Sequence, residues 1–141
     1  AVYPVLHQKI DFDSLISKIS PNFVEIYNQA YEAEEQNLNH ITGMGYRKAL
    51  EFLVKDYCIH KFPDETPDIR LEPLSKTIRR INDNRIQTLC SRASWLGNDE
   101  CHYTKKHTNK DIQDMKNFIQ TAIHFIQDEK ILEEACNMQP K

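Results

Sequence analysis

Ile41 to His60 read ITGMGYRKALEFLVKDYCIH, and the spacing within this stretch decides the fold class. Tyr46, Leu50, Leu53, Val54, Tyr57 and Cys58 return every three or four positions. That period places them on one face of an α-helix, whereas a strand would alternate apolar and polar side chains. Arg47, Glu51 and Lys55 follow at i, i+4 and i+8 on the neighbouring stripe. An Arg–Glu pair at this spacing adds only ~0.2–0.5 kcal/mol to an isolated helix, so a buried pair is better read as fixing helix register against a polar group on another helix.

Outward from this helix the same period continues. Ser20-Pro21 is a helix start, a capping hydroxyl followed by proline at the first helical position. Phe23, Tyr27, Ala30 and Tyr31 give that helix its apolar face, and the turn falls near Gln36 to Asn39. Residues 1–19 are expected as a lead-in segment or linker, with Asp13 capping a short turn through Leu15, Ile16 and Ile19. Downstream, Pro63, Pro67 and Pro73 bracket a polar loop that no helix is expected to cross. A short helix from about Glu72 to Ile81 follows, and Asn82-Asp83-Asn84 breaks it. The next helix starts near Arg85, with Ile86, Leu89, Cys90, Ala93 and Leu96 or Gly97 as its expected buried face. Residues 103–109 form a polar turn. Thr108 or Asn109 caps the last helix, where Ile112, Met115, Ile119, Ala122, Ile123 and Ile126 repeat to about Glu134. The sum is an all-α domain over residues 20–135, a small antiparallel bundle of about four to five helices, with 136–141 as a tail.

Composition agrees. The chain has 141 residues, 40% hydrophobic and 28% charged, which suits one folded domain. Its three glycines, at 43, 45 and 97, are too few for a turn-rich β fold and form no phosphate loop. No apolar run reaches membrane-spanning length, and Ala1-Val2-Tyr3-Pro4 does not begin a signal peptide. Cys58, Cys90, Cys101 and Cys136 lie too far apart for a zinc pattern. Three of them fall at or near apolar-periodic positions, so reduced, packed thiols in a cytoplasmic protein are expected.

Charge is uneven. Between Arg70 and Lys110 stand nine Lys or Arg and four acids; the remainder holds nine basic and seventeen acidic residues. A basic strip on an acidic body is therefore possible, with Arg79, Arg80, Arg85, Arg92 and Lys105 as its candidates for phosphate contact. The plain alternative is a solvated helix surface.

Chemistry concentrates in Trp95-Leu96-Gly97-Asn98-Asp99-Glu100-Cys101-His102-Tyr103. Asn98 and His102 stand four apart and share a helix face, and Gly97 leaves room for a neighbouring helix. His102 is the candidate general acid or base, with Asn98 beside it. The plain alternative is that both pin the helix end through hydrogen bonds. Asp99, Cys101, His102 and His107 are metal-ligand types, but their spacing matches no known zinc pattern, so no metal and no cofactor are expected.

Three phrases resemble one family. Ser20-Pro21-Asn22-Phe23-Val24-Glu25-Ile26-Tyr27-Asn28-Gln29-Ala30 resembles its first helix, Gly45-Tyr46-Arg47-Lys48-Ala49-Leu50-Glu51 its Arg-x-Ala-Leu-Glu signature, and Gly97-Asn98 with His102 its Gly-Asn-x-x-x-His signature. The family is a bacterial domain of unknown function grouped with the HEPN superfamily of small helical bundles, and the resemblance covers about residues 20–130. It implies a homodimer, an association with restriction and phage-defence systems, and RNA as a ligand. Active HEPN ribonucleases resemble each other in one motif, an Arg, then four to six residues, then a His. Here His102 matches the His, while Trp95, Leu96 and Gly97 occupy the Arg positions. The resemblance therefore points to a dimerising interaction module, linked to nucleic-acid processing, that does not cleave. A metal-independent endoribonuclease using His102 is the alternative, and a helical domain binding a small ligand or peptide is the next.

Overall fold

The computed structural model describes residues 9–141, and the expected start through Tyr3-Pro4 lies outside them. The described residues contain α-helices, one 3-10 turn and no strand. The apolar stripe of residues 46–58 builds α3 (Asn39–Lys61), the central element, with Tyr46, Ala49, Leu50, Leu53, Val54, Tyr57 and Cys58 all buried. α2 (Pro21–Glu35) packs antiparallel to it, Phe23, Tyr27 and Ala30 facing inward. The link between them turns at Asn37, whose φ of 59° is left-handed, a conformation asparagine tolerates better than most residues. α6 (Asn84–Cys101) and α7 (Ile112–Asn137) form a second antiparallel pair, and α6 lies along α3.

The α2–α3 and α3–α6 approaches are close because small residues sit where the helices meet. A Cβ on Gly45 would lie 2.9 Å from the Ala30 Cβ, and one on Gly97 would lie 2.6 Å from the Arg47 Cγ. The aromatic rings of Phe12, Phe23, Tyr27 and Tyr46 meet edge-on or tilted with centroids 4.9–5.5 Å apart, a favoured geometry. Tyr46 donates to Glu34, which also accepts from Lys116, so burial and the nearby carboxylate both push the Tyr46 hydroxyl well above its ordinary pKa.

Several expectations need correcting. The helices number seven among the described residues, not four or five. The short turn expected after Asp13 is there, as α1 (Ser14–Ile19), capped by Asp13 and burying Ile16 in the core. The proline-bracketed segment is not a plain loop. It holds a 3-10 turn, Pro63–Glu65, and α4 (Thr66–Leu71). Pro63 and Pro67 stand in the first turn of these elements, where a missing N–H costs nothing. α5 is shorter than expected, Leu74–Arg79. The Ser20 hydroxyl makes no cap bond and donates to Asp56 of α3 instead. The last helix is capped not by Thr108 or Asn109 but by Asp111, which forms a capping box with Asp114. It runs to Asn137, beyond the expected Glu134 and into the tail. Only Cys58 and Cys90 are buried; Cys101 and Cys136 are exposed. No helix among the described residues is long and apolar enough to cross a membrane.

Candidate functional site

The site lies along the exposed face of α6 and the turn that follows it. Arg92, Trp95 and Asn98 repeat every three residues, so they line one face of the helix. The Arg92 guanidinium lies 4.1 Å from the centroid of the Trp95 ring. That is cation–π geometry, and it places the guanidinium over the indole. Trp95 is still 45% exposed, so part of the indole remains open to solvent.

The turn is organised by one carboxylate. Asp99 is buried one turn after Trp95 on α6 and accepts the backbone N–H groups of Lys106 and His107 at 3.1 and 3.0 Å. The His107 Nδ1 lies 2.9 Å from the same carboxylate. A carboxylate is an acceptor only, so in this contact Nδ1 carries a proton and donates it to Asp99. Burial alone would raise the Asp99 carboxyl. The two N–H groups and the His107 ring outweigh it and hold the carboxyl below the ordinary range. With His107 so fixed, its ring stacks on Trp95, centroids 5.8 Å apart and planes 12° from parallel.

Arg47 and Glu51 belong to this region from below. Gly97 lets the Arg47 side chain lie against α6, and Arg47 Nε donates to the Asn98 Oδ1 at 3.0 Å while NH1 reaches Glu51 at 3.3 Å. Arg47 thus ties α3 to α6 through Asn98, while the half-buried Glu51, one turn along α3, holds the guanidinium. With Asn98 Oδ1 engaged, the amide NH2 is the group left to donate.

Two hollows flank this face. One, about 390 Å³, lies between α5 and α6 and is lined by Ser75, Arg79, Thr88, Ser91 and Arg92, with no carboxylate on its wall. The other, about 600 Å³, lies under the turn and is lined by His102, Thr104, Lys106, His107 and the edge of Asp99. Trp95 and Asn98 border both.

The structure separates the five basic candidates. Arg79 and Arg92 line the first hollow and form no ion pair among the described residues. Arg80 is bound to Glu72 and Glu65, Arg85 to Asp83 with its guanidinium over Phe125, and Lys105 to Glu100. His102 is the residue after the last turn of α6. Its backbone N–H bonds Asn98 O at 3.1 Å, and its exposed imidazole makes no hydrogen bond among the described residues. Asn98 and His102 do meet at one cavity, although His102 has already left the helix. No three His, Cys, Asp or Glu side chains among the described residues come together to hold a metal.

Lys106 and the Trp95–His107 stack are additions that sequence reasoning did not reach. The Arg92–Trp95 spacing of three was visible on the helix. The Asp99–His107 contact crosses a turn with no period to follow. Compared with family models, curated proteins and solved structures, the chain shows no match.

Proposed function

We propose that this chain is a nucleic-acid-binding interaction module, that single-stranded RNA lies across Trp95, and that the strand is held without being cut. The observation that carries the reading is the exposed indole with Arg79, Arg92 and Lys106 about it, none in an ion pair. Bases of any identity stack on an aromatic plane for ~1–3 kcal/mol each, and cations along the groove follow the phosphates. The acidic body of the chain disfavours non-specific adhesion elsewhere. The resemblance to HEPN domains supports a HEPN-like bundle, pairing of two chains and a cytoplasmic, defence-linked setting beside restriction-type proteins. Light scattering reads the pairing.

The test is anisotropy of a labelled single-stranded oligoribonucleotide against salt. Three phosphate contacts predict a log–log slope of about −2. Trp95→Ala should weaken binding about tenfold or more. Absence of binding at low salt, or binding indifferent to Trp95, overturns the reading.

A second reading has its own observation. His102 and His107 border one cavity with Lys106, and Asp99 accepts from the His107 Nδ1. A base, an acid and a cation are the groups that metal-free phosphodiester cleavage needs. RNA cleavage in EDTA, lost in His102→Ala and in His107→Ala with the fold intact, would establish the endoribonuclease; uncut RNA with all three proteins removes it.

A further inference from the structure

We infer that the two hollows beside Trp95 are two halves of one site, whose minimal ligand is a single nucleotide carrying a phosphate at each end. The inference rests on the single-stranded RNA reading above and adds what occupies each side. Arg79 and Arg92 line the first hollow and not the second, and Lys106 lines the second and not the first. The cations on the two sides therefore meet different phosphates. Between α5 and α6 the anion faces Arg79 and Arg92, with the Ser91 and Thr88 hydroxyls beside them and no acid on the wall. Under the turn it faces Lys106, and the one carboxylate there, Asp99, is already engaged by the turn backbone and His107. Trp95 and Asn98 are the shared border, so the base packs on the part of the indole that Arg92 and His107 leave exposed. The Asn98 amide, oriented by Arg47, presents its NH2 to an acceptor on the base or ribose. A mononucleotide with one phosphate fills only one half.

Trp95 is the sole tryptophan, so quenching of its emission reports the stack directly. The full chain is titrated with adenosine, adenosine 5′-monophosphate, adenosine 3′-monophosphate, adenosine 3′,5′-bisphosphate and single-stranded oligoadenylate, with calorimetry as a second readout. The bisphosphate should bind about tenfold tighter than either monophosphate, the worth of one further charge-assisted contact. Adenosine should bind weakest. Arg79→Ala and Lys106→Ala, both exposed side chains outside the core, should each bring the bisphosphate to monophosphate affinity. A bisphosphate no tighter than a monophosphate while oligoadenylate still binds through Trp95 overturns the two-sided site alone. Failure of oligoadenylate as well overturns the RNA reading with it.

Discussion

Two segments of this chain are held by a buried acid, and they differ in what the acid leaves over. The proline-bracketed segment from Pro63 to Pro73 is fastened by Glu72, whose carboxylate takes Arg80 through Nε at 2.7 Å and NH2 at 2.9 Å, and the Thr77 hydroxyl at 2.9 Å. Arg80 reaches on to Glu65, and Lys55 donates to the carbonyls of Arg70 and Glu72. Every charge in that network has a partner. The turn after α6 is fastened by Asp99, but there the acid takes mainly backbone N–H groups and one imidazole. Lys106, Arg92 and Arg79 are left without acids, beside an exposed indole. The same device closes one segment and presents the other. A positively charged side chain is more informative for its missing partner than for its presence, which is why the count of basic residues between 70 and 110 did not locate the site.

The sharpest way to break this contrast is Glu72→Ala. It leaves Arg80 facing a nearly buried gap and frees α4 and α5 from each other, so the melting temperature should fall by about 5 °C or more while RNA affinity measured below the transition holds. A melting curve and an anisotropy titration on one preparation decide it; lost affinity in a folded variant would join the two segments that are separated here.

Asp99→Ala should do the reverse. The turn lies on the surface, so the melting temperature moves by about 1–3 °C. Binding should drop about tenfold, because His107 no longer stacks against Trp95 and Lys106 loses its position. An unchanged affinity would show that the turn takes no part in the site.

The smallest effect is in acid. Arg80 chiefly, with Thr77, holds the Glu72 carboxyl below its ordinary value, and Asp99 is likewise depressed. A depressed carboxyl contributes stability that is whole above its unfolded value, about 4, and is lost as pH falls through the folded value. Melting temperature should therefore decline below about pH 4, and Trp95 emission should change over the same window as the turn lets go. In Asp99→Asn the emission change should vanish while the Glu72 share of the melting decline stays. Emission that still changes in that variant would detach Trp95 from the carboxylate.

The long helices were legible because their period runs far enough to be unambiguous: α3, α6 and α7 each repeat over about three turns or more. α4 was not, because proline both breaks a helix and begins one, and only the packing of Ile69 into the core tells which happened. The α7 cap was missed for a related reason. Thr108, Asn109 and Asp111 are all capping types, and the reciprocal bond with Asp114 selects among them. Half of the site was legible as the crowded stretch from Trp95 to Tyr103. The other half depends on contacts across eight residues of turn and on which arginines the body of the protein had already taken.

The four thiols divide two and two, and that division is a ready-made assay of breathing. Cys58 and Cys90 are buried with their thiols pushed up to about 11 and about 12 by burial, so neither supplies thiolate at neutral pH. Cys101 and Cys136 stand in solvent. A thiol reagent should therefore consume two equivalents at once and the remaining two only at the pace at which the interior opens, giving an opening rate with no label, no substitution and no ligand.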